Sequence, residues 1–240
     1  MKMLNELQVV IPMAGAGTRM AAGGEQTPKP LVSVAGKTLI EWAVESLDLS
    51  GRYIFVARKY SEKKYRDLLD KTLSKLTVDF DLVLTQQETS GAAETALLAK
   101  SKLRVENPLV VTNSDQYLDW NPSIFIEHIS RFDPDGSLGL FKSNNVANSF
   151  ARVNGKRVTE VREKQQISNL ALTGFHYWKK AGTFSRCAEK LLNDFDRNVH
   201  KETFISLVYN YQIEEKDFVS YFEQDGLHQL GTPNQLLEFA

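Results

Sequence analysis

Over its first half the chain alternates short, almost uniformly apolar runs with amphipathic stretches, and that alternation leaves few architectures open. Residues 8–11 (QVVI), 53–57 (YIFVA), 81–84 (DLVL) and 108–112 (PLVVT) read as strands. Between them lie helix-like segments at 38–47 (TLIEWAVESL), 62–74 and 92–100. Strands apolar on both faces must be covered on both faces, and parallel neighbours need a crossover connection. The pattern therefore predicts βαβ units and a parallel sheet with helices on either side.

Beyond Asp115 the rule loosens. Asn121-Pro122 offers an N-cap and a proline at the first helical position. Strands then gather at 138–141, 150–153, 158–161 and 171–178, with Asn154-Gly155 marking a hairpin between the second and third. Helices are expected over 181–192 and 203–210, a strand over 218–222 and a short helix after Thr232-Pro233. The expected fold class is α/β, a Rossmann-like three-layer α/β/α arrangement around a mixed, mainly parallel central sheet, in a single domain over 1–240.

Composition narrows the classes of partner. Of the 240 residues 42% are hydrophobic and 25% charged, enough to build a substantial core. Lys+Arg at 29 against Asp+Glu at 30 gives a net charge of -1, so no global field draws the chain to nucleic acid or an anionic membrane. Any anion must be held by a local cluster. Cys187, the one cysteine, has no partner for a disulfide or a zinc ligand pair, which fits a cytoplasmic location. The start, MKMLNELQVVIPMAG, is expected to be a first strand rather than a signal peptide or a membrane span.

The segment VVIPMAGAGTRM puts Gly15 and Gly17 directly after a buried strand, where backbone amides can converge on phosphate oxygens. A tight strand-to-helix turn is the other reading. A dinucleotide fingerprint fits poorly, because Met20 stands where a third Gly or Ala is needed and Arg58 where an acidic residue is needed. A Walker-type loop fails for want of a Gly-Lys-Ser/Thr in that place. Ten residues beyond Arg19, two prolines bracket Lys29 in TPKPLV and restrict the backbone on both sides of it.

The ordered set GAGTRM, seven residues, PKPL and then GKTLIEWAV resembles the signature of the sugar nucleotidyltransferases, the glucose-1-phosphate thymidylyl- and uridylyltransferase superfamily. The resemblance continues through SDQYLDW, VREKQQISNLALTGFHYW and GTPNQL, almost the whole chain. It implies a nucleotide-binding half over 1–120, an acceptor-binding half over 121–240, and Mg2+ as cofactor. By the resemblance Ala14, Gly15, Ala16, Gly17, Thr18 and Arg19 wrap a nucleoside triphosphate, and Lys29 reaches its phosphates. Asp115, at the C-terminal end of a strand, matches the magnesium aspartate, a hard oxygen donor suited to that ion. Gln86 and Gly91 match base-recognition positions, although a polar loop capping the next helix explains Gln86 equally well. Glu163 and Lys164 match the pair that holds sugar hydroxyls and the acceptor phosphate, with Gly174 and Tyr177 as further contacts. Phe175 and Trp178 read as core.

The implied reaction joins a nucleoside triphosphate, with a pyrimidine base favoured by Gln86, to a sugar 1-phosphate and releases pyrophosphate. Repulsion makes the cations necessary, since unit charges 4 Å apart repel by about 4 kcal/mol at an effective dielectric near 20. Arg19, Lys29, Lys164 and the metal are the expected neutralising groups. The pattern breaks in two places. Gln229, in LHQLGT, stands where many relatives carry a second metal-binding aspartate, leaving Asp115 alone, substitution by Asp225 or Glu223, or loss of activity. Ala151 takes the place of a sugar-pocket glycine. A cytidylyltransferase for a phosphate such as phosphocholine and a noncatalytic nucleotide sensor therefore stay open. The family often forms dimers or tetramers, so a homo-oligomer stays open too.

Overall fold

The computed structural model describes residues 6–76, 78–196 and 201–240, and for Arg19 the backbone alone. In chain order the strands and helices are β1 (Gln8–Met13), α1 (Thr18–Ala22), β2 (Ser33–Val34), β3 (Lys37–Thr38), α2 (Leu39–Leu47), β4 (Arg52–Arg58), α3 (Lys63–Leu73), β5 (Asp79–Thr85), α4 (Ala92–Leu97), β6 (Leu109–Thr112), β7 (Gln116–Asp119), α5 (Pro122–Phe132) and β8 (Gly136–Lys142). They continue as β9 (Phe150–Asn154), β10 (Arg157–Arg162), β11 (Leu170–Trp178), α6 (Ala181–Asn193), α7 (Val208–Glu214), β12 (Val219–Glu223), β13 (Gly226–Gln229) and α8 (Pro233–Phe239).

Among the described residues nine strands form one sheet in the order β5-β4-β1-β6-β11-β8-β12-β10-β9. The first four run parallel, as the βαβ pattern predicts. From β11 onward the sheet is mostly antiparallel: β11 opposes both β6 and β8, β10 opposes β12 and β9, and only β8 and β12 run parallel. The mixed α/β sheet thus matches expectation, but it is not mainly parallel: among the described residues four of its pairings are parallel and five antiparallel, with the parallel ones concentrated in the N-terminal strands. The last strands also curl, so that β9 meets β11 at Phe150 and Ala171. A curl of that kind lets short antiparallel strands pair their edges without crossover helices.

Helices cover both faces because the strands are apolar on both. Val10, Ile54, Val56, Val111 and Leu138 pack on one face with Ala96, Phe184, Ala188 and Tyr209 from α4, α6 and α7. Val9, Ile11, Phe55, Val110, Phe175 and Tyr177 pack on the other with Ile40, Val44, Leu69 and Phe125 from α2, α3 and α5. Each such side chain removed from water contributes about 1.5–3 kcal/mol. Among the described residues no helix is long and apolar enough to cross a membrane.

Two departures from the sequence pattern bear on the site. The helix expected over 203–210 begins only at Val208, after a 3-10 turn over Ile205–Leu207. Thr203 lies outside the helix, because its N–H donates to the Ser90 carbonyl and its own carbonyl accepts from Ala93, leaving neither group for a helix ladder. A small antiparallel sheet of β7 and β13, too short and too polar to stand out in the sequence, pairs Gln116 with Gln229. Helix α2 holds that sheet: Ser46 Oγ accepts from Leu118 N at 3.1 Å, and the Ser46 carbonyl accepts from Trp120 Nε1 at 2.8 Å.

α2 is in turn started by a capping box, in which the Thr38 hydroxyl accepts from Glu41 N and the Glu41 carboxylate accepts from Thr38 N at 2.7 Å. Thr38→Ala is expected to lower unfolding free energy by about 1 kcal/mol, read from the urea midpoint. Acid should destabilise the fold through two histidines. Burial holds His176 at a pKa of about 3 and, with help from Lys156, His128 at about 4, both below the ordinary 6.5. Both groups are neutral in the fold but take up protons in the unfolded chain, so stability is full above pH 6.5 and falls as pH drops toward 4. The expected slope near pH 5 is about 2.7 kcal/mol per pH unit for the two together, measured by urea titrations at stepped pH. A slope under about 1 would mean that at least one histidine charges in the folded state.

Candidate active site

β1 and β6 are parallel neighbours, with Val10 opposite Val111, so the loops that follow them leave the same edge of the sheet side by side. Ligands of open α/β sheets bind at that edge. After β1, Ala14 is buried while Gly15, Ala16 and Thr18 are exposed. Gly17 caps α1 in the left-handed region at φ 65°, and a Cβ there would stand 3.3 Å from Lys29 Cβ. Glycine is therefore required both for the turn and for the approach of Lys29.

Lys29 is delivered by a 3-10 turn whose Pro30 and Leu31 are buried. The Glu25 carboxylate, held below its usual pKa by the Thr27 N–H, closes the loop just before it. Lys29 Nζ forms an ion pair with the Asp115 carboxylate. The two side chains are only 17% and 24% exposed, unlike the 80% and 59% of the solvated Lys63–Asp67 pair. The Asp115 carbonyl accepts from Leu230 N at 2.8 Å, which brings Gly231 alongside. A Cβ on Gly231 would lie 3.1 Å from Asp115 Oδ2 and 3.5 Å from Lys29 Nζ. The structure thus joins Gly17, Lys29 and Asp115, as the sequence pointed to, and adds Gly231 from the GTPNQL segment. The Arg19 side chain lies outside the described residues.

The loop around Asp115 is braced from β11. Gly174, at φ 83°, sits in a register shift between Leu172 and His176. A Cβ there would fall 2.2 Å from Asn113 Nδ2 and 2.6 Å from Gln116 Oε1. Asn113 Nδ2 donates to Gln116 Oε1 at 2.9 Å, and Gln116 Nε2 donates to Thr112 Oγ1 at 3.1 Å, so the residues flanking Asp115 are tied together beneath it.

Glu163 and Lys164 follow β10. The Glu163 carboxylate accepts from Ser149 Oγ and, at 3.2 Å, from Ser206 Oγ. Lys164 adopts the left-handed region at φ 51°, with Nζ 4.0 Å from Glu163 Oε1 and 4.8 Å from the centre of the Phe204 ring. On the nucleotide side Gln86 is exposed just past β5, and Gly91 packs so tightly on Thr203 that a Cβ would lie 2.5 Å from its carbonyl oxygen.

Two expectations need correction. Ala151 does not line a pocket: the register of β9 turns it inward, fully buried in the core with Val161, and its carbonyl accepts from Ser168 Oγ at 2.7 Å. Tyr177 is likewise a core residue, 1% exposed among Phe125 and Phe175. Sequence reasoning missed Ser149, Ser206, Asn113 and Gln116, whose types carry no spacing signal in a chain rich in polar loops.

The same geometry limits a metal. Gln229 Oε1 accepts from Gln235 Nε2 at 2.9 Å and Gln229 Nε2 donates to Asn148 Oδ1 at 3.4 Å, so that amide is already engaged. Glu223, the last residue of β12, and Asp225 just beyond it are exposed, and among the described residues no group of three or more His, Cys, Asp or Glu gathers around a point. Asp115 is the carboxylate this edge offers. One carboxylate fits Mg2+ when substrate phosphates and water complete the octahedron.

Comparisons with known proteins bear on the family and the fold. The chain is 23% identical over 176 residues to the bifunctional protein GlmU of Methanococcus vannielii, covering 71% of this chain and 40% of that one. It is 32% identical over 140 residues to the mannose-1-phosphate guanylyltransferase catalytic subunit beta of Drosophila pseudoobscura pseudoobscura, covering 58% of this chain and 38% of that one. The chain spans about two fifths of the length of these curated relatives. The fold resembles the nucleoside-diphosphate-sugar pyrophosphorylase of Vibrio cholerae RC9 with a TM-score of 0.80, at 23% identity over 96% of this chain and 98% of that one. It also resembles the inositol-1-phosphate CTP transferase of T. maritima with a TM-score of 0.76, at 19% identity over 97% and 93% of the two chains. The family model for nucleotidyl transferases matches residues 8–240, from the strand that launches the glycine loop through Lys29, Asp115 and Gly231 to the last residue, and the chain belongs to that family.

Proposed function

We propose that this chain transfers a nucleoside monophosphate from a nucleoside triphosphate, with a pyrimidine base (dTTP, UTP or CTP), to a sugar 1-phosphate, giving an NDP-sugar and pyrophosphate. The observation that carries this reading is the gathering of Gly17 at the base of the Lys29 side chain and of Asp115 and Gly231 at its Nζ, on the edge of the sheet. A lysine in partial burial, facing backbone without side chains, suits a polyanion that must come close to the main chain. An oxygen of the acceptor phosphate attacks the α-phosphorus, the bond from that phosphorus to the bridging oxygen of the β-phosphate breaks, and pyrophosphate carries the electron pair away. No proton need move, so catalysis rests on position and charge neutralisation.

In the structure Lys29 and Asp115 neutralise each other. When the triphosphate enters, Lys29 turns to its phosphates and Asp115 is released. Mg2+, held on Asp115, supplies further neutralisation of the phosphate oxygens when bound. Arg19, at the second residue of α1, is assigned to the same phosphates, and Ala14, Gly15, Ala16 and Thr18 to the loop around them. Gln86 and Gly91 are assigned to the base.

The acceptor is assigned to Glu163, Lys164 and the neighbourhood of Gly174, with Ser149 and Ser206 holding the glutamate. Hydroxyls and amides prevail there, and they suit a polyhydroxylated acceptor. A quaternary ammonium such as that of phosphocholine calls for free aromatic faces, and the Phe204 ring already lies under Lys164. The pocket chemistry therefore favours a sugar phosphate over a choline phosphate as acceptor.

Pyrophosphate release across the common nucleoside triphosphates, each with glucose 1-phosphate, other sugar 1-phosphates and phosphocholine, is expected to be highest for a pyrimidine nucleotide with a sugar 1-phosphate. Silence of the folded protein across the whole panel would favour a nucleotide sensor. Lys29→Ala and Asp115→Asn are each expected to lower kcat/KM by roughly 100-fold or more, about 2.7 kcal/mol of transition-state stabilisation, with little change in Tm. Near-normal turnover in both variants would remove the assignment.

A further inference from the structure

The residues assigned to the nucleotide base and those assigned to the acceptor lie far apart in the sequence, yet one short segment touches both. Thr203 binds the first turn of α4 and the loop before it in three ways: its N–H donates to the Ser90 carbonyl at 2.9 Å, its carbonyl accepts from Ala93 N at 3.0 Å, and its hydroxyl meets Ser90 Oγ at 3.0 Å. The fit leaves no room at Gly91, where a Cβ would lie 2.5 Å from Thr203 O and 2.6 Å from Thr203 N. Phe204 presents its ring to Lys164 Nζ at 4.8 Å. Ile205 is 4% exposed and anchors the segment in the core. Ser206 Oγ donates to the Glu163 carboxylate at 3.2 Å.

We propose that residues 203–206 form a strap that fixes the Ser90–Gly91 loop against the Glu163–Lys164 pair, so that occupation of the base site and of the acceptor site are energetically coupled through it. Thr203, Phe204 and Ser206 are positioning residues in this scheme, since none is assigned a contact with substrate. The physical argument is one of rigidity. Thr203 is fully buried and doubly bonded through its backbone, and Ile205 is held in the core, so the segment cannot yield at one end without moving at the other. Packed elements of this kind pass small displacements on rather than absorbing them. Lys164 also sits in the left-handed backbone region, which a non-glycine residue rarely adopts, so its orientation depends on the contacts that hold it, the Phe204 ring among them. A nucleotide that settles the Ser90–Gly91 loop would thereby settle Glu163 and Lys164 before the acceptor arrives.

The functional part of this inference rests on the assignments made under Proposed function, and the test separates the two. In the first arm, without ligand, amide hydrogen exchange is followed by NMR in the wild type and in Ser206→Ala and Phe204→Leu, made separately. Exchange of the Thr203 and Ala93 amides is expected to rise about tenfold in each variant, with that of Val10 in the central strand unchanged. Unchanged exchange at Thr203 and Ala93 in both folded variants overturns the strap. In the second arm, calorimetry measures binding of the Mg2+ complex of α,β-methylene-UTP with and without glucose 1-phosphate. The wild type is expected to bind the nucleotide analogue at least about fivefold more tightly when glucose 1-phosphate is present, and Ser206→Ala to lose that gain while keeping the affinity for the analogue alone within about twofold. A purely structural role would weaken both ligands alike and leave the gain intact. Equal gain in wild type and variant, or binding of both ligands without gain in the wild type, overturns the coupling. Binding of neither ligand by the wild type counts against the substrate assignment instead, and the exchange arm then decides the strap alone.

Discussion

The position of every group at the site depends on the burial of β1. Val9, Val10 and Ile11 are fully buried, turned to opposite faces of the sheet, and the strand is paired in parallel on both edges. A slip of one residue would exchange the two faces and lose several buried side chains at about 1.5–3 kcal/mol each. The register Val10 opposite Val111 is therefore held by the core and not by anything at the site. Because β1 and β6 run the same way, their following loops must leave the sheet together. That consequence of packing sets Gly17 near Asp115, and a polar site of high precision is built from an apolar constraint.

Lys29 and Asp115 stand 86 residues apart in sequence, and their pairing is suited to exchange rather than to permanence. A deeply buried pair would be too costly to break once one partner was drawn away. A solvated pair such as Lys63–Asp67 contributes little and holds neither side chain in place. At 17% and 24% exposure the pair lies between these limits. In that range the ion pair keeps each charge oriented while leaving both within reach of solvent.

How much of this was legible in the sequence depends on how each restraint is written. The strands of the parallel half announce themselves, because burial on both faces demands continuous apolar runs. Gly17 and the prolines around Lys29 are legible for a similar reason: a backbone angle that few residues tolerate leaves its mark in residue type. Thr203 leaves no such mark. Its backbone is taken out of the helix by Ser90, 113 residues away, while the local apolar spacing around it suggests a helix. Ser149 and Ser206, which hold Glu163, are chemically ordinary and unspaced. Ala151 fails differently, since a one-residue choice of register on β9 decides whether it faces core or cleft, and only tertiary pairing with Val161 settles that.

The glycines show the difference between residues that packing requires and residues that an approaching molecule would require. Gly174 and Gly231 are fixed by their neighbours: Asn113 and Gln116 fill the space of one Cβ, and the Lys29–Asp115 pair crowds the other. A side chain at Gly231 would press on the Asp115 carboxylate and touch Lys29 Nζ. Gly15 is the opposite case, for no described atom lies within 4 Å of where its Cβ would be. The fold therefore makes no demand for glycine there. What a glycine at that point does offer is unobstructed main chain beside Gly17 and Lys29, on the side from which a polyanion would come.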